Sequence, residues 1–183
     1  MKLGVNILGI FKPTVMIENI MNISPQEFKD HNIKYVLSDL DNTLVPWNKK
    51  ERLDDRLVNW CKSMKDNGVQ LVIASNNSHD RIAKAVKGLD VQILSRTAKP
   101  LPFRINNFIK RNNLSKDSVV MVGDQLMTDI MVGSLTGIRT ILVQPLVNTD
   151  AKKTRVNRFF ERPILLINKV IYPHLKWRKH LNE

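Results

Sequence analysis

Between residues 35 and 143, short apolar runs alternate with stretches at helical spacing, and this rhythm restricts the chain to one kind of architecture. Tyr35-Val36-Leu37, Gln70–Ala74, Val91–Leu94, Ser118–Val122 and Thr140–Val143 read as buried strands. Residues 54–67, 78–88, 102–113 and 126–135 read as the helices between them. Leu57, Trp60, Cys61 and Met64 share one face of the first helix, and Ile82, Ala85, Val86 and Leu89 share one face of the second. Gly68 and Gly137 are stop signals. Strand and helix in strict alternation predict an α/β fold: a doubly wound, Rossmann-like parallel sheet with helices on both faces. Ligands of such sheets bind beyond the carboxyl ends of the strands. The order of the strands is not set by this pattern.

At 183 residues the chain is long enough for one compact domain with a real core. A single cysteine, Cys61, excludes a disulfide framework within the chain and reads as core filling in a reducing compartment. Residues 1–32 are apolar and interrupted by Pro13 and Pro25; Ser24-Pro25-Gln26-Glu27 has the form of a helix start. Asn6 interrupts the Leu3–Phe11 run and no small-residue cleavage site follows, so no secretory signal is expected. Nor is there a stretch of about 18 apolar residues, and a cytoplasmic location is expected.

The formal charge is +12, and residues 151–183 hold nine Lys/Arg against two acids, more than half of the excess. That segment reads as a basic amphipathic appendage to a domain spanning 1–150. Val156, Phe160, Ile164, Ile167, Ile171 and Leu175 form a stripe at helical spacing, and Pro163 and Pro173 should divide it into short helices. The stripe either packs on the domain or lies on an anionic membrane as a peripheral contact. Aromatic residues make up 6%, which argues against a base-stacking nucleic-acid surface. The oligomeric state is not fixed by any of these features.

The chemistry gathers where strands end. Asp39-Leu40-Asp41-Asn42-Thr43-Leu44 follows the first buried strand. Two carboxylates held close repel each other, and burial penalises both; a hard dication relieves both costs. A plain Asp-rich turn is the alternative. Ser75-Asn76-Asn77 follows the next strand and suits either phosphate oxygens or an ordinary helix cap. Lys99, in Ala98-Lys99-Pro100, can neutralise phosphate and a nearby carboxylate. Gly123-Asp124-Gln125-Leu126-Met127-Thr128-Asp129 follows a further strand; Gly123 permits a tight turn and Asp124 can complete a metal site.

In this order, Asp-x-Asp-x-Thr, Ser-Asn, Lys-Pro and Gly-Asp-x-x-x-x-Asp resemble the four motifs of the haloacid-dehalogenase (HAD) superfamily. Asp39–Trp47, Ser75-Asn76-Asn77, Ala98-Lys99-Pro100, Gly123–Asp129, Asn157-Arg158 and Glu161 resemble more closely the subfamily III, YqeG-type phosphatases. That group includes phosphatidylglycerophosphate phosphatases of bacteria, mitochondria and plastids. The resemblance implies Asp39 as nucleophile and Asp41 as general acid and base. It implies Mg2+ on Asp39, the main-chain carbonyl of Asp41, and Asp124, with Asp129 orienting that shell. It implies Ser75 and Lys99 on the phosphoryl oxygens, with Thr43 and Asn76 assisting in substrate binding. Nine residues separate Leu44 from Asp54 and twenty-one separate Asn77 from Lys99, too few for a large cap domain. An open site follows, suited to a phosphate on a bulky substrate; the resemblance implies an anionic phospholipid, phosphatidylglycerophosphate, as that substrate. Trp47 reads as loop packing or as a contact to substrate or membrane interface. Two alternatives stand beside this reading. One is a phosphatase for a soluble phosphomonoester or a nucleic-acid end; the other is an RNA- or partner-binding protein with a vestigial HAD site.

Overall fold

A computed structural model describes residues 7–48, 53–147 and 152–183, with residues 7, 8 and 152–160 described at the level of the backbone. Seven strands form one sheet: β1 (Val15–Ile17), β2 (Tyr35–Ser38), β3 (Gln70–Ala74), β4 (Gln92–Leu94), β5 (Val119–Gly123), β6 (Arg139–Val143) and β7 (Trp177–Arg178). Their order is β4-β3-β2-β5-β6-β1-β7, and every pairing is parallel. The helices are α1 (Pro25–Asp30), α2 (Asp55–Asp66), α3 (His79–Ala85), α4 (Phe103–Arg111), α5 (Met131–Thr136) and α6 (Lys152–Ile171).

Alternation along each strand divides the core into two layers. Val36, Ile73, Val120, Val122 and Ile141 face Phe28 of α1, Leu57, Trp60 and Met64 of α2, and Ile82 of α3. Leu37, Val72 and Met121 face Ile105, Phe108 and Ile109 of α4 and Val132 of α5. On that second side Met16 and Leu142 meet Leu126, Ile130 and Leu175, with Ile164 and Leu165 of α6 against them. Each fully buried aliphatic or phenyl side chain contributes about 1.5–3 kcal/mol, so the two layers fix the register of the strands. Trp60 donates its indole N–H to the Ile23 carbonyl at 2.8 Å, which ties α2 to the segment before α1. Cys61 is buried among these side chains, and burial pushes its thiol up to about 11.

The sheet extends beyond the alternating region, and three expectations need correction. The segment before α1 and the segment after α6 each contribute a short strand, β1 and β7, which extend the sheet beyond β6. Residues 126–135 are not one helix: a π-helical turn, Leu126–Ile130, precedes α5. Pro163 does not divide the basic segment, because α6 runs through it. A proline inside a helix removes one hydrogen bond and costs about 3 kcal/mol. Here buried Glu161 before it and Ile164, Leu165 and Asn168 after it hold both halves against the domain. The expected stripe also faces differently. Ile164 and Leu175 pack inward, whereas Ile167 and Ile171 are exposed. The side chains of Val156, Asn157, Arg158 and Phe160 lie outside the described residues.

The winding sets the position of the site. From β2 the chain proceeds to β3 and β4 on one side, then returns to β5 and β6 on the other. Strands β2 and β5 are therefore neighbours at the switch point, in the register Ser38↔Val122. The residues that follow them, Asp39 and Asp124, leave the sheet beside each other.

Candidate active site

Asp39 extends the β2 ladder by one bond, donating its N–H to the Val122 carbonyl at 2.8 Å. The chain then folds into a tight loop. The amides of Leu44 and Val45 both donate to the Leu40 carbonyl, and the Asn42 amide donates to the Val45 carbonyl at 2.7 Å. Asn42 takes the left-handed conformation, φ 63°, which asparagine tolerates better than most residues. Buried Leu40 anchors the loop, so the two aspartates are presented by a fixed backbone.

Asp124 follows β5 directly, and Asp129 comes from the π-helical turn after it. Asp39, Asp124 and Asp129 are all buried, and each brings one carboxylate oxygen within 4.8 Å of the others. Gly123 makes this approach possible. A Cβ there would lie 2.2 Å from the Asp129 carboxyl, so its role is room for a side chain rather than an unusual backbone angle. Buried Lys99 donates to Asp39 Oδ1 and to Asp129 Oδ1, both at 2.7 Å. Burial alone would lower the Lys99 ammonium, but the charges of Asp129 and Asp39 outweigh it and hold the group above the usual lysine range. Burial raises the Asp129 carboxyl, with Lys99 opposing and Asp39 adding to the shift. Three buried carboxylates gathered this closely form an all-oxygen set that fits a hard dication such as Mg2+.

The remaining expected residues surround this cluster in different ways. Ser75 follows β3 and lines the same cleft; its hydroxyl accepts from the Asn77 amide and side chain at 3.3 and 3.2 Å. Asn76 is turned toward the Lys99 loop. Its Oδ1 accepts from the Lys99 amide at 2.7 Å and from the Thr97 hydroxyl at 2.8 Å, while its Nδ2 donates to the Lys99 carbonyl at 3.0 Å. The side chain therefore fixes the backbone that carries Lys99, across a cis Lys99–Pro100 bond. Thr43 is buried, with its hydroxyl 3.4 Å from Asp124 Oδ1, where it orients that carboxylate.

Asp41 points away from the cluster. Its Oδ2 accepts from Asn77 Nδ2 at 2.9 Å and from Arg81 Nη2 at 3.0 Å. Burial pushes the Asp41 carboxyl up, Arg81 opposes, and the charge of Asp39 adds to the rise. A carboxyl that holds its proton more tightly than an ordinary aspartate is suited to donating it. Arg81 carried no sequence signal beyond its i, i+4 relation to Asn77, to which it also bonds at 3.1 Å.

These side chains line an open cleft of about 700 Å3, whose walls include Phe11, Trp47, Met127 and Met131. A second groove of about 630 Å3 adjoins it and shares Asp41, Trp47 and Arg81. Val45, Pro46 and Leu53 give the groove an apolar wall, and Asp80 and Lys84 of α3 stand beside Arg81 on the other side. The loop between Leu44 and Asp55 and the segment from Asn77 to Lys99 hold no inserted domain among the described residues.

An open parallel sheet that gathers carboxylates and a bridging lysine at its switch point defines a class, the HAD-type hydrolases. The comparisons agree. The profile of the haloacid dehalogenase-like hydrolases matches residues 36–98, and that of the HAD-hydrolase-like proteins matches residues 96–162. The chain is 36% identical over 169 residues to the probable phosphatase YqeG of Bacillus subtilis, covering 92% of this chain and 97% of that one. The chain belongs to the haloacid dehalogenase-like hydrolases, and within them to the YqeG-type phosphatases. A crystal structure of an uncharacterized protein from Listeria monocytogenes serotype 4b shares the fold, at TM-score 0.50 and 15% identity, over 66% of this chain and 84% of that one. A 3-deoxy-D-manno-octulosonate 8-phosphate phosphatase from Moraxella catarrhalis, solved with magnesium and phosphate, aligns at TM-score 0.45 and 16% identity, over 56% of this chain and 62% of that one.

Proposed function

We propose that this phosphatase removes the terminal phosphate of phosphatidylglycerophosphate, with Asp39 as nucleophile and Mg2+ as cofactor. The observation that carries the chemistry is Lys99, held between Asp39 and Asp129 at 2.7 Å from each. It fixes the Asp39 carboxylate at the edge of the cleft and places a positive charge where phosphoryl oxygens would gather. Asp39 and Asp124, with the main-chain carbonyl of Asp41, would hold Mg2+, with Asp129 orienting that shell; the ion when bound would offset charge on the phosphoryl oxygens and on the carboxylates.

An Asp39 oxygen attacks phosphorus as the bond to the leaving oxygen breaks, giving an aspartyl-phosphate. Asp41 gives its proton to that leaving oxygen. The Asp41 carboxylate then takes a proton from water as the water oxygen attacks the same phosphorus. The bond from phosphorus to Asp39 breaks, releasing inorganic phosphate and restoring both aspartates. Ser75 and Lys99 hold the phosphoryl oxygens during both steps; Thr43 and Asn76 position Asp124 and Lys99 for them.

The leaving group must lie on the side of Asp41, and the second groove opens there. Its apolar wall and the cations Arg81 and Lys84 suit an alcohol that carries a further anionic group, as a phospholipid head group does. The open cleft supports a substrate presented on a bulky carrier.

Purified protein should release phosphate from phosphatidylglycerophosphate in detergent micelles with Mg2+, and Asp39→Asn should lower the rate by a factor of about 10³ or more while retaining the fold by circular dichroism. Brisk turnover of soluble phosphomonoesters with none of the lipid would sink the lipid assignment. RNA binding without Mg2+-dependent turnover would sink the enzymatic one.

A further inference from the structure

The carboxyl-terminal half of α6 is apolar on its outward side as well as on the inward side, where Ile164 and Leu165 pack. Its inward side includes two polar side chains, Glu161 and Asn168, both buried. Its outward side carries Leu166, Ile167, Val170 and Ile171, which are 63%, 40%, 80% and 48% exposed. At 100° per residue these four, with exposed Pro163 among them, cover a continuous outward arc. Arg162 and Lys169 are exposed together along one flank of that arc. Water is the wrong solvent for such a face.

The inward polar groups explain why the helix sits this way round. The Glu161 carboxylate accepts from the Met127 amide at 2.9 Å, and Asn168 Nδ2 donates to the Phe11 carbonyl at 3.0 Å. Met127 and Phe11 both line the catalytic cleft. The two bonds lock the rotation of α6 and fasten it to the rim of the cleft, with the apolar arc facing away.

We propose that this arc is a docking surface for an anionic lipid bilayer. One observation favours a bilayer over a second copy of the chain. Residues 151–183 carry nine Lys/Arg against two acids, so a two-fold pairing through α6 would bring two strongly positive segments together. An anionic surface meets both demands. The arc enters the interfacial layer, and Arg162 and Lys169 extend along its flank to the head groups. No described helix is long and apolar enough to cross the membrane, which is consistent with a face that lies on it. The proposal goes beyond the assigned reaction and does not depend on which phosphomonoester is cleaved.

The test is co-sedimentation of the full chain with phosphatidylcholine vesicles and with mixed phosphatidylcholine–phosphatidylglycerol vesicles. Binding is expected to the mixed vesicles, weakened by salt, and at least about tenfold weaker for Leu166→Gln/Val170→Gln. Arg162→Gln/Lys169→Gln, changed only at exposed positions, should weaken it as well and serves as the second probe should the first variant lose its thermal transition. A chain that stays in the supernatant with both vesicles, or apolar variants that sediment like the parent, would overturn the proposal. So would a dimer by light scattering that Leu166→Gln/Val170→Gln converts to monomer. Turnover of p-nitrophenyl phosphate is read in parallel: turnover without vesicle binding overturns the docking surface alone, and vesicle binding without turnover overturns the catalytic reading alone.

Discussion

Asp41 is where the geometry and the chemistry of single residues can be separated. Its carboxyl is raised by burial and held by Asn77 and Arg81, outside the carboxylate cluster, so under the proposed mechanism its contribution is a proton rather than charge. Replacing it with asparagine should therefore act according to the leaving group. With an alkyl phosphate, whose alkoxide leaves only when protonated, Asp41→Asn should lower turnover by a factor of about 10²–10⁴. With p-nitrophenyl phosphate the first step needs little help. The second still lacks its base, so rapid-quench measurements should show a burst of p-nitrophenol followed by slow release. An equal fall for both substrates with no burst would mean that Asp41 serves structure alone. The acidic residues of this site were legible in sequence because Asp39 and Asp124 sit directly after strands, and Asp41 and Asp129 belong to the short motifs they begin. Arg81 was not, since an arginine on a solvent-facing helix turn looks like any other until the fold brings it to Asp41. The roles of Thr43 and Asn76 were legible only in outline, because their partners, Asp124 and Lys99, lie 81 and 23 residues away.

At the scale of elements, what could be read depended on length. Helices of nine or twelve residues such as α4 and α2 carry a full apolar period. Strands of three and two residues, β1 and β7, carry none, and their place in the sheet comes from the neighbours they pair with. The start of α1 is a case where local sequence and distant contact cooperate. Ser24 and Glu27 form a capping box, and Glu27 Oε1 also accepts from the Leu181 amide at 2.9 Å, joining α1 to the end of the chain. Burial on its own would raise the Glu27 carboxyl. The bonds from the Ser24 amide and hydroxyl and the Leu181 amide, with the His180 ring 3.6 Å away, outweigh it and hold the group below the usual glutamate range. A carboxylate lowered in the folded state stabilises above its unfolded value, about 4.3, and that contribution is lost as pH falls through the folded value. Glu27→Gln should thus cost about 1 kcal/mol in urea unfolding at pH 7, with the gap from the parent closing below about pH 4. A gap unchanged by acid would mean that the amide loses packing rather than charge.

For the molecule as a whole, strand–helix alternation made the parallel sheet legible, but not the order of its strands. That order brings Asp39 and Asp124 together and makes the site a stability problem as well as a catalytic device. Three carboxylates buried within 4.8 Å of one another repel, so the metal-free protein should be held below its full stability. An ion that binds only the folded state stabilises it by about 2.7 kcal/mol at a hundred times its dissociation constant. For a domain of this size that corresponds to roughly 5–11 °C in the unfolding midpoint. Thermal scans with EDTA and with Mg2+ at matched ionic strength should show a shift of that order. Asp124→Asn should abolish most of it. Circular dichroism of the variant in EDTA separates loss of the ion from loss of the fold. A Mg2+ shift of equal size in parent and variant would place the ion elsewhere, away from the cluster at the switch point.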